Sequence, residues 1–475
     1  LGSERGAQGR KARVYDADAG GVVGRGAVGY GLIEGLAVGA CAQEPRTWVD
    51  AMRVSVAEAL SGIEAGAVAG IGVSGQQHGF VALDAADEVI RPAKLWCDTE
   101  TEPEAKELSR LTGVPTPAGF TASKILWLKR HEPAAFSRLA RVLLPHDYIN
   151  LVLTGEAAME CGDASGTGFF DPVQRIFDEE RMVAIDEELP GRLPGLIGAD
   201  DSVGGLRAEW AEEWGLRAGI PVAAGSGDNM LSALGAGAVR PGVLVMSLGT
   251  SGTLFAQAEQ AVVDPLGEIA PFCDATGHWL PLLCTLNCTS VTEEVVASSG
   301  KDHAELTARA ERVPPGCEGV SFLPFLAGER TPDWPLASGA ILGLREGSLR
   351  PGLLYRAAME GASFALAAGL ERLRGLGVVA DELRVVGGGS KNPLWCQVVA
   401  DVTGLAVRLP SEPESAALGG ALQSLALADD RPLLEALRAV DVPLVPHAIA
   451  PREEAQGAHE EALQRHLSRA AGLFG

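Results

Sequence analysis

Residues 220–256 read IPVAAGSGDNMLSALGAGAVRPGVLVMSLGTSGTLFA, and within them two short apolar runs each end in a glycine-rich break. Ile220 to Ala224 has the length of a buried strand, and Gly225-Ser226-Gly227 sets Asp228 at its end. Open α/β sheets keep their chemistry at such strand ends. Val243 to Met246 reads as a second strand and runs into Ser247-Leu248-Gly249-Thr250-Ser251-Gly252-Thr253. The glycines of that loop permit close backbone approach, and its hydroxyls and N–H groups donate hydrogen bonds, as a chain of phosphates requires. One carboxylate and one donor-rich loop suggest an acid that takes a proton from a hydroxyl while a nucleotide phosphate is held opposite. The plainer reading makes Asp228 the cap of a helix from Asn229 to Ala238 and the loop a hairpin turn.

The rest of the chain narrows these choices. At 475 residues it is long enough for two substantial domains with a cleft between them. A hydrophobic fraction of 47%, a charged fraction of 21% and 60 glycines describe a soluble α/β protein with many tight turns. A formal charge of −23 without clustered Lys and Arg argues against nucleic acid or an anionic membrane as partner. A nucleotide is still allowed, because it needs only local donors and a metal. No apolar run reaches the roughly 18 residues of a membrane span, and Leu1 to Arg13 is polar and basic, so neither a span nor a signal peptide is expected. The eight cysteines form no Cys-x-x-Cys pair and read as reduced thiols of a cytoplasmic protein.

Ahead of the central stretch, Ala12 to Asp16 and Val22 to Ala27 form a hairpin around the turn at Asp18-Ala19-Gly20-Gly21. Thr47 to Leu60 places Trp48, Met52, Val56 and Leu60 on one helical face. The buried strand Val68 to Val73 stops at Ser74-Gly75-Gln76-Gln77-His78-Gly79, where amide and imidazole groups can both donate to and accept from hydroxyls. Lys94-Leu95-Trp96-Cys97-Asp98 offers a flat face and an acceptor to a polyol, or a core Trp and a helix cap. Thr121 to His131 is helical, and Glu160 to Thr167 is a loop rich in capping residues. Beyond the centre, Leu353 to Leu373 is apolar almost all round and reads as a buried helix. Strand Leu383 to Val386 ends in Gly387-Gly388-Gly389-Ser390-Lys391-Asn392-Pro393, with Asn392 as cap of a helix that Gly404 stops. Three glycines facing a helix N-terminus leave room for a flat, bulky group such as adenosine. No Gly-x-Gly-x-x-Gly follows a strand, as the dinucleotide fingerprint requires, and Walker A, zincin and Gly-x-Ser-x-Gly patterns are missing from the sequence.

Gly75 to Gly79, Leu95 to Asp98, Gly119 to His131, Glu160 to Thr167, Gly225 to Asn229, Ser247 to Thr253, Phe325 to Pro332 and Gly387 to Pro393 together resemble the FGGY carbohydrate kinases. Among these they are most similar to the kinases that act on xylulose. The resemblance implies two actin-like, ribonuclease-H-like α/β domains, residues 1–236 on the sugar side and 237–475 on the nucleotide side. It implies Asp228 as general base and, through water, as the residue nearest Mg²⁺. Gly249, Thr250, Ser251 and Gly252 would hold the ATP phosphates, and Gly387, Gly388, Gly389 and Asn392 would line the adenosine pocket. Gln77, His78, Trp96 and Asp98 would contact the sugar, and the family commonly forms homodimers. The expected reaction is ATP-dependent phosphorylation of D-xylulose, with ribulose or glycerol as alternative acceptors.

One segment departs from the pattern. The family's first phosphate loop reads Leu-Gly-Ile-Asp-x-Gly-Thr, whereas residues 1–7 read LGSERGA. Glu4 keeps a catalytic carboxylate one methylene longer, Ala7 lacks the donating hydroxyl, and Ser3 and Arg5 put polar groups into a central strand. Two readings follow, a sugar kinase or a sugar- and nucleotide-binding protein that has lost turnover.

Overall fold

The computed structural model describes residues 1–6 and 9–475, and the side chains of all of these except residues 4–6. The Glu4 carboxylate and Ala7, both singled out above, therefore lie outside the described residues.

Two sheets organise the described chain. The first runs β1 (Gly2–Gly6), β2 (Gly9–Asp16), β3 (Gly21–Gly29), β4 (Gly72–Gly75) and β5 (Ser226–Gly227), in the spatial order β5-β4-β1-β2-β3. The first three strands are antiparallel neighbours, and β4 and β5 join in parallel. The second sheet contains β6 (Gly242–Leu248), β7 (Gly252–Ala256), β8 (Ala270–Cys273), β9 (Trp279–Thr285), β10 (Ala380–Val386) and β11 (Ala406–Arg408). Its order is β8-β9-β7-β6-β10-β11, again an antiparallel set extended by parallel strands. Strand Leu383 to Val386 of the sequence reading is the end of β10, and the loop after Leu248 is indeed the turn of the β6–β7 hairpin, as the plainer reading had it.

Helix α1 (Pro45–Ala59) covers β2 and β3 with Trp48, Met52 and Val56, the face predicted from spacing. The 25-residue helix α2 (Pro351–Gly375) is buried along most of its length beside β7 and β9. Asn392 caps α3 (Pro393–Thr403) through Leu394 and Trp395 N–H, and Gly404 ends it in the left-handed conformation at φ 68°.

Between the sheets lie α4 (Asp228–Gly235) and α5 (Ser415–Ala428), whose apolar residues Met230, Leu231, Leu418 and Leu422 share a core with Val243, Val245 and Phe255 of the second sheet. The other side of α5 packs on β1, β2 and β4. Contact there is backbone to backbone. A β-carbon on Gly72 would meet the Gly420 carbonyl oxygen at 1.9 Å, and one on Gly235 the Ser415 carbonyl oxygen at 1.8 Å. Ser3 is buried in β1 without being orphaned, because Arg10 Nε donates to its hydroxyl at 2.8 Å.

One expectation is corrected. Cys41 and Cys97 form a disulfide across 56 residues of sequence, so these two are not reduced thiols; the other six are free. Leu95 N–H donates to the Cys41 carbonyl, and this backbone pairing, invisible in the spacing, brings the two sulfurs together. No helix among the described residues is long and apolar enough to cross a membrane.

Candidate active site

The two strand ends that decided the sequence reading face each other across α4. Asp228 is the first residue of that helix, half-buried, and its Oδ1 accepts from the Asn229 backbone N–H at 2.9 Å and from Asn229 Nδ2 at 3.1 Å. The Asn229 side chain reaches further. Its Nδ2 donates to Gln77 Oε1 at 2.7 Å, and its Oδ1 accepts from Thr253 Oγ1 at 3.2 Å. A single amide thus joins the carboxylate, the polar loop after β4 and the glycine-rich loop before β7. Sequence reasoning had placed Asn229 as a helix residue and as the end of the Gly225 to Asn229 motif without a role of its own; its amide type beside Asp228 was the available signal.

Gln77 and His78 are both buried, and Gln77 Nε2 and His78 Nδ1 have no hydrogen-bond partner among the described residues. Unsatisfied buried polar atoms are costly unless something fills the space, so they mark where a polar ligand would be read. His78 adopts a left-handed backbone at φ 63° and packs against the rings of Phe120 and Phe272, which also touch each other. Burial first, and then the positive charges of Lys124 and Arg330, hold its pKa well below 6.5, so the imidazole is neutral and can both donate and accept.

Lys124 and Arg330 were missed. Lys124 is fully buried, its ammonium donating to the carbonyls of Ala118, Gly119 and Phe120, and burial lowers its pKa to about 7 against the raising influence of Asp98. Arg330 crosses from the second half of the chain, since a β-carbon on Gly119 would lie 3.4 Å from its Nη2. Asp98 lies deeper than a ligand contact alone would need. Its Oδ2 accepts from Lys94 Nζ and Cys41 N–H, each at 3.0 Å, while Oδ1 is buried without a partner among the described residues. Trp96 is half-buried two residues earlier.

The glycines of the two expected nucleotide loops are not equivalent. Gly249 is half-buried and Thr250 exposed, whereas Gly252 is packed against Thr285 and Leu366. Gly387, at φ 85°, and Gly389 let the turn close on Leu248, with β-carbon distances of 2.8 and 2.7 Å to its atoms. Gly388 alone faces open space. Asn392 spends its oxygen on the cap and its Nδ2 on Thr307 Oγ1 at 2.9 Å, so its side chain is engaged in the helix start.

Behind the cleft, Glu160 accepts from Ser226 Oγ at 2.8 Å and from the N–H groups of Gly162 and Asp163 at 2.6 Å each. Burial raises its pKa to about 7 in spite of His146 and those N–H donors. Asp163 Oδ2 lies 2.7 Å from His146 Nδ1, and Asp147 Oδ1 lies 3.0 Å from Nε2. Burial opposes charge on this imidazole, but the carboxylates of Asp147 and Asp163 outweigh it and raise its pKa well above 6.5.

Residues 1–235 match the N-terminal domain, and residues 244–428 the C-terminal domain, of the "FGGY family of carbohydrate kinases". This chain belongs to that family. Its FGGY relatives include a xylulose kinase of Haemophilus influenzae, 38% identical over 443 residues, which covers 90% of this chain and 90% of that protein. A xylulose kinase of Streptomyces coelicolor is 40% identical over 446 residues, 90% of this chain and 87% of that protein. Among solved structures, that of a "xyloylose kinase" from Brucella ovis superposes on this FGGY chain with a TM-score of 0.92 at 33% identity, covering 100% and 99% of the two chains.

Proposed function

We infer that this FGGY kinase transfers the terminal phosphoryl group of ATP to the terminal hydroxyl of D-xylulose, giving D-xylulose 5-phosphate. The observation that carries the inference is the Asn229 amide, which ties Asp228, Gln77 and Thr253 into one polar seam between the two sheets. Phosphoryl transfer asks for that arrangement, an acceptor hydroxyl held against a base and in line with a phosphate. The xylulose kinases similar to this chain over most of its length support the choice of acceptor.

In this reading Asp228 accepts the proton of the attacking hydroxyl, and Asn229 holds the carboxylate in place by its two donations. Gln77, His78, Trp96 and Asp98 orient the ketose, and the neutral imidazole serves a hydroxyl without repelling Arg330. Gly249, Thr250, Ser251 and Gly252 hold phosphates through backbone N–H and hydroxyl groups, while Gly387, Gly388, Gly389 and Asn392 wall the adenosine. Glu4 supplies the carboxylate of the first phosphate loop. Mg²⁺ neutralises phosphate charge when bound. No cluster of three or more His, Cys, Asp or Glu that could cage a metal occurs among the described residues, and this fits an ion held mainly by phosphate and water with one carboxylate, Asp228, nearby. The two functional halves divide near residue 236, and dependence on ATP supports action in the cytoplasm.

The test is ADP release in a coupled assay with ATP, Mg²⁺ and D-xylulose, with D-ribulose, glycerol and no acceptor in parallel. Turnover that depends on ketose and has its highest kcat/KM with D-xylulose is expected. Equal ADP release without acceptor, or a higher kcat/KM with another acceptor, would remove the assignment.

A further inference from the structure

The buried groups around Glu160 and Asp163 reach both the strand end before Asp228 and the His78 ring. Glu160 binds the hydroxyl of Ser226, two residues before Asp228. Gly162 makes that approach possible, since a β-carbon there would lie 2.6 Å from Ser226 Oγ. At the other end of the four-residue helix Cys161–Ala164, Asp163 Oδ2 holds His146, and the Asp163 carbonyl accepts from the N–H of Gly166, which lies against the His78 ring. All of these side chains are at most 3% exposed except His78, at 8%. Charged groups this deep are costly to bury unless they are paired, so these pairings favour one geometry of the segment.

We propose that Glu160 and Asp163 are positioning residues that set the separation between the proposed base and the proposed sugar reader, Glu160 acting on Asp228 through Ser226 and Asp163, anchored on His146, acting on the His78 ring through Gly166. The proposal rests on the ketose kinase reading above and assigns the two carboxylates separate kinetic roles. Loss of the Glu160 contact shifts the strand end that carries the base, which is felt in the transition state. Loss of the Asp163 contact shifts a ground-state contact with the sugar, which is felt in KM.

The experiment compares Glu160→Gln, Ser226→Ala and Asp163→Asn in the full-length protein, with steady-state ADP release against D-xylulose and ATP and with thermal melts. Glu160→Gln turns an amide NH₂ toward a backbone N–H, and kcat is expected to fall by up to about a hundredfold with KM for D-xylulose within about threefold of the wild type. Ser226→Ala removes one hydroxyl, and kcat is expected to fall about fivefold, with no further loss when it is combined with Glu160→Gln. Asp163→Asn is expected to raise KM for D-xylulose about tenfold and to leave KM for ATP unchanged. A merely structural role would lower the melting temperatures and leave kcat of the folded protein where it was, and that result overturns the proposal. If Glu160→Gln does not fold, Ser226→Ala and Ser226→Thr decide. Rescue of kcat by the threonine hydroxyl supports the contact, and equal loss in both overturns it. Crystal structures of the wild type and Ser226→Ala supply a readout independent of turnover. A wild type inactive on ketoses overturns the functional reading, whereas an unmoved Asp228 overturns the positioning role alone.

Discussion

Replacing Gly166 by alanine tests the sugar side with a single carbon. A β-carbon at this position would fall 1.7 Å from His78 Nδ1 and 2.0 Å from Cε1. Non-bonded carbon and nitrogen atoms need about 3.5 Å, so the imidazole must retreat by roughly 1.8 Å. It has little room to do so, because Phe120 and Phe272 stand at centroid distances of 4.8 and 5.5 Å and the Thr121 hydroxyl donates to the His78 carbonyl at 3.3 Å. Overpacking of this kind costs about 1–3 kcal/mol in stability. The functional effect is larger, since a misplacement of about 1 Å can cost about a hundredfold in rate. We expect kcat/KM for D-xylulose to fall at least about a hundredfold, with KM for ATP unchanged, in steady-state ADP release at saturating concentrations of the other substrate. His78→Ala opens the space that the new methyl needs. Adding Gly166→Ala to that background should therefore cost almost nothing more, a non-additivity that a general loss of folding would not produce. A Gly166→Ala enzyme with kcat/KM for the ketose within threefold of the wild type would refute the placement of His78 in the sugar site.

Three further predictions address other parts of the molecule. Asp228→Asn should lower kcat by about 10²–10⁴-fold while calorimetric ATP affinity stays within threefold, and retained turnover would remove Asp228 as base. Gly388→Ala should raise KM for ATP several-fold without lowering the melting temperature, because only open space adjoins it, whereas Gly389→Ala should lower the melting temperature through its clash with Leu248; equal behaviour of the two would contradict the distinction. His466 is buried against Phe325 and Phe364, and burial together with Arg469 holds its pKa down to about 4. A folded value below the unfolded 6.5 means that its stability contribution is complete above pH 6.5 and is lost as pH falls towards 4, by about 3 kcal/mol in all. His466→Phe should flatten that loss in denaturant melts at pH 7 and 4.5, and an identical acid dependence in both proteins would contradict the assignment.

What could be read in the sequence was local. Apolar runs ending in Gly225-Ser226-Gly227 and Gly249 to Thr253 reveal strand ends, because glycine punctuation and hydrophobic length act within a few residues. Asn392-Pro393 and Gly404 mark the limits of α3 for the same reason, as caps act over a single turn. Contacts made across the fold left no such trace. The pairing of Ser226 with Glu160 spans 66 residues, that of Asn229 with Gln77 spans 152, and Cys41 meets Cys97 only because two strand-like segments align them. Lys124 and Arg330 stood only inside the longer motifs Gly119 to His131 and Phe325 to Pro332, and only their place beside His78 gives them a role of their own. The polar Ser3, which looked misplaced in a central strand, is explained by Arg10, whose guanidinium no periodicity analysis would have turned inward.

The position of α5 also bears on how the protein is made. This helix ends at residue 428 of 475 but closes the sheet whose first strand begins at residue 2. Because Gly2 and Gly72 meet its backbone directly, no other part of the chain can stand in for it. During vectorial synthesis the N-terminal sheet must therefore wait, with one face uncovered, until residues 415–428 have left the ribosome. A chain interrupted before residue 415 is not a smaller working protein but an unfinished sheet, and chaperone engagement of nascent chains should persist until α5 emerges.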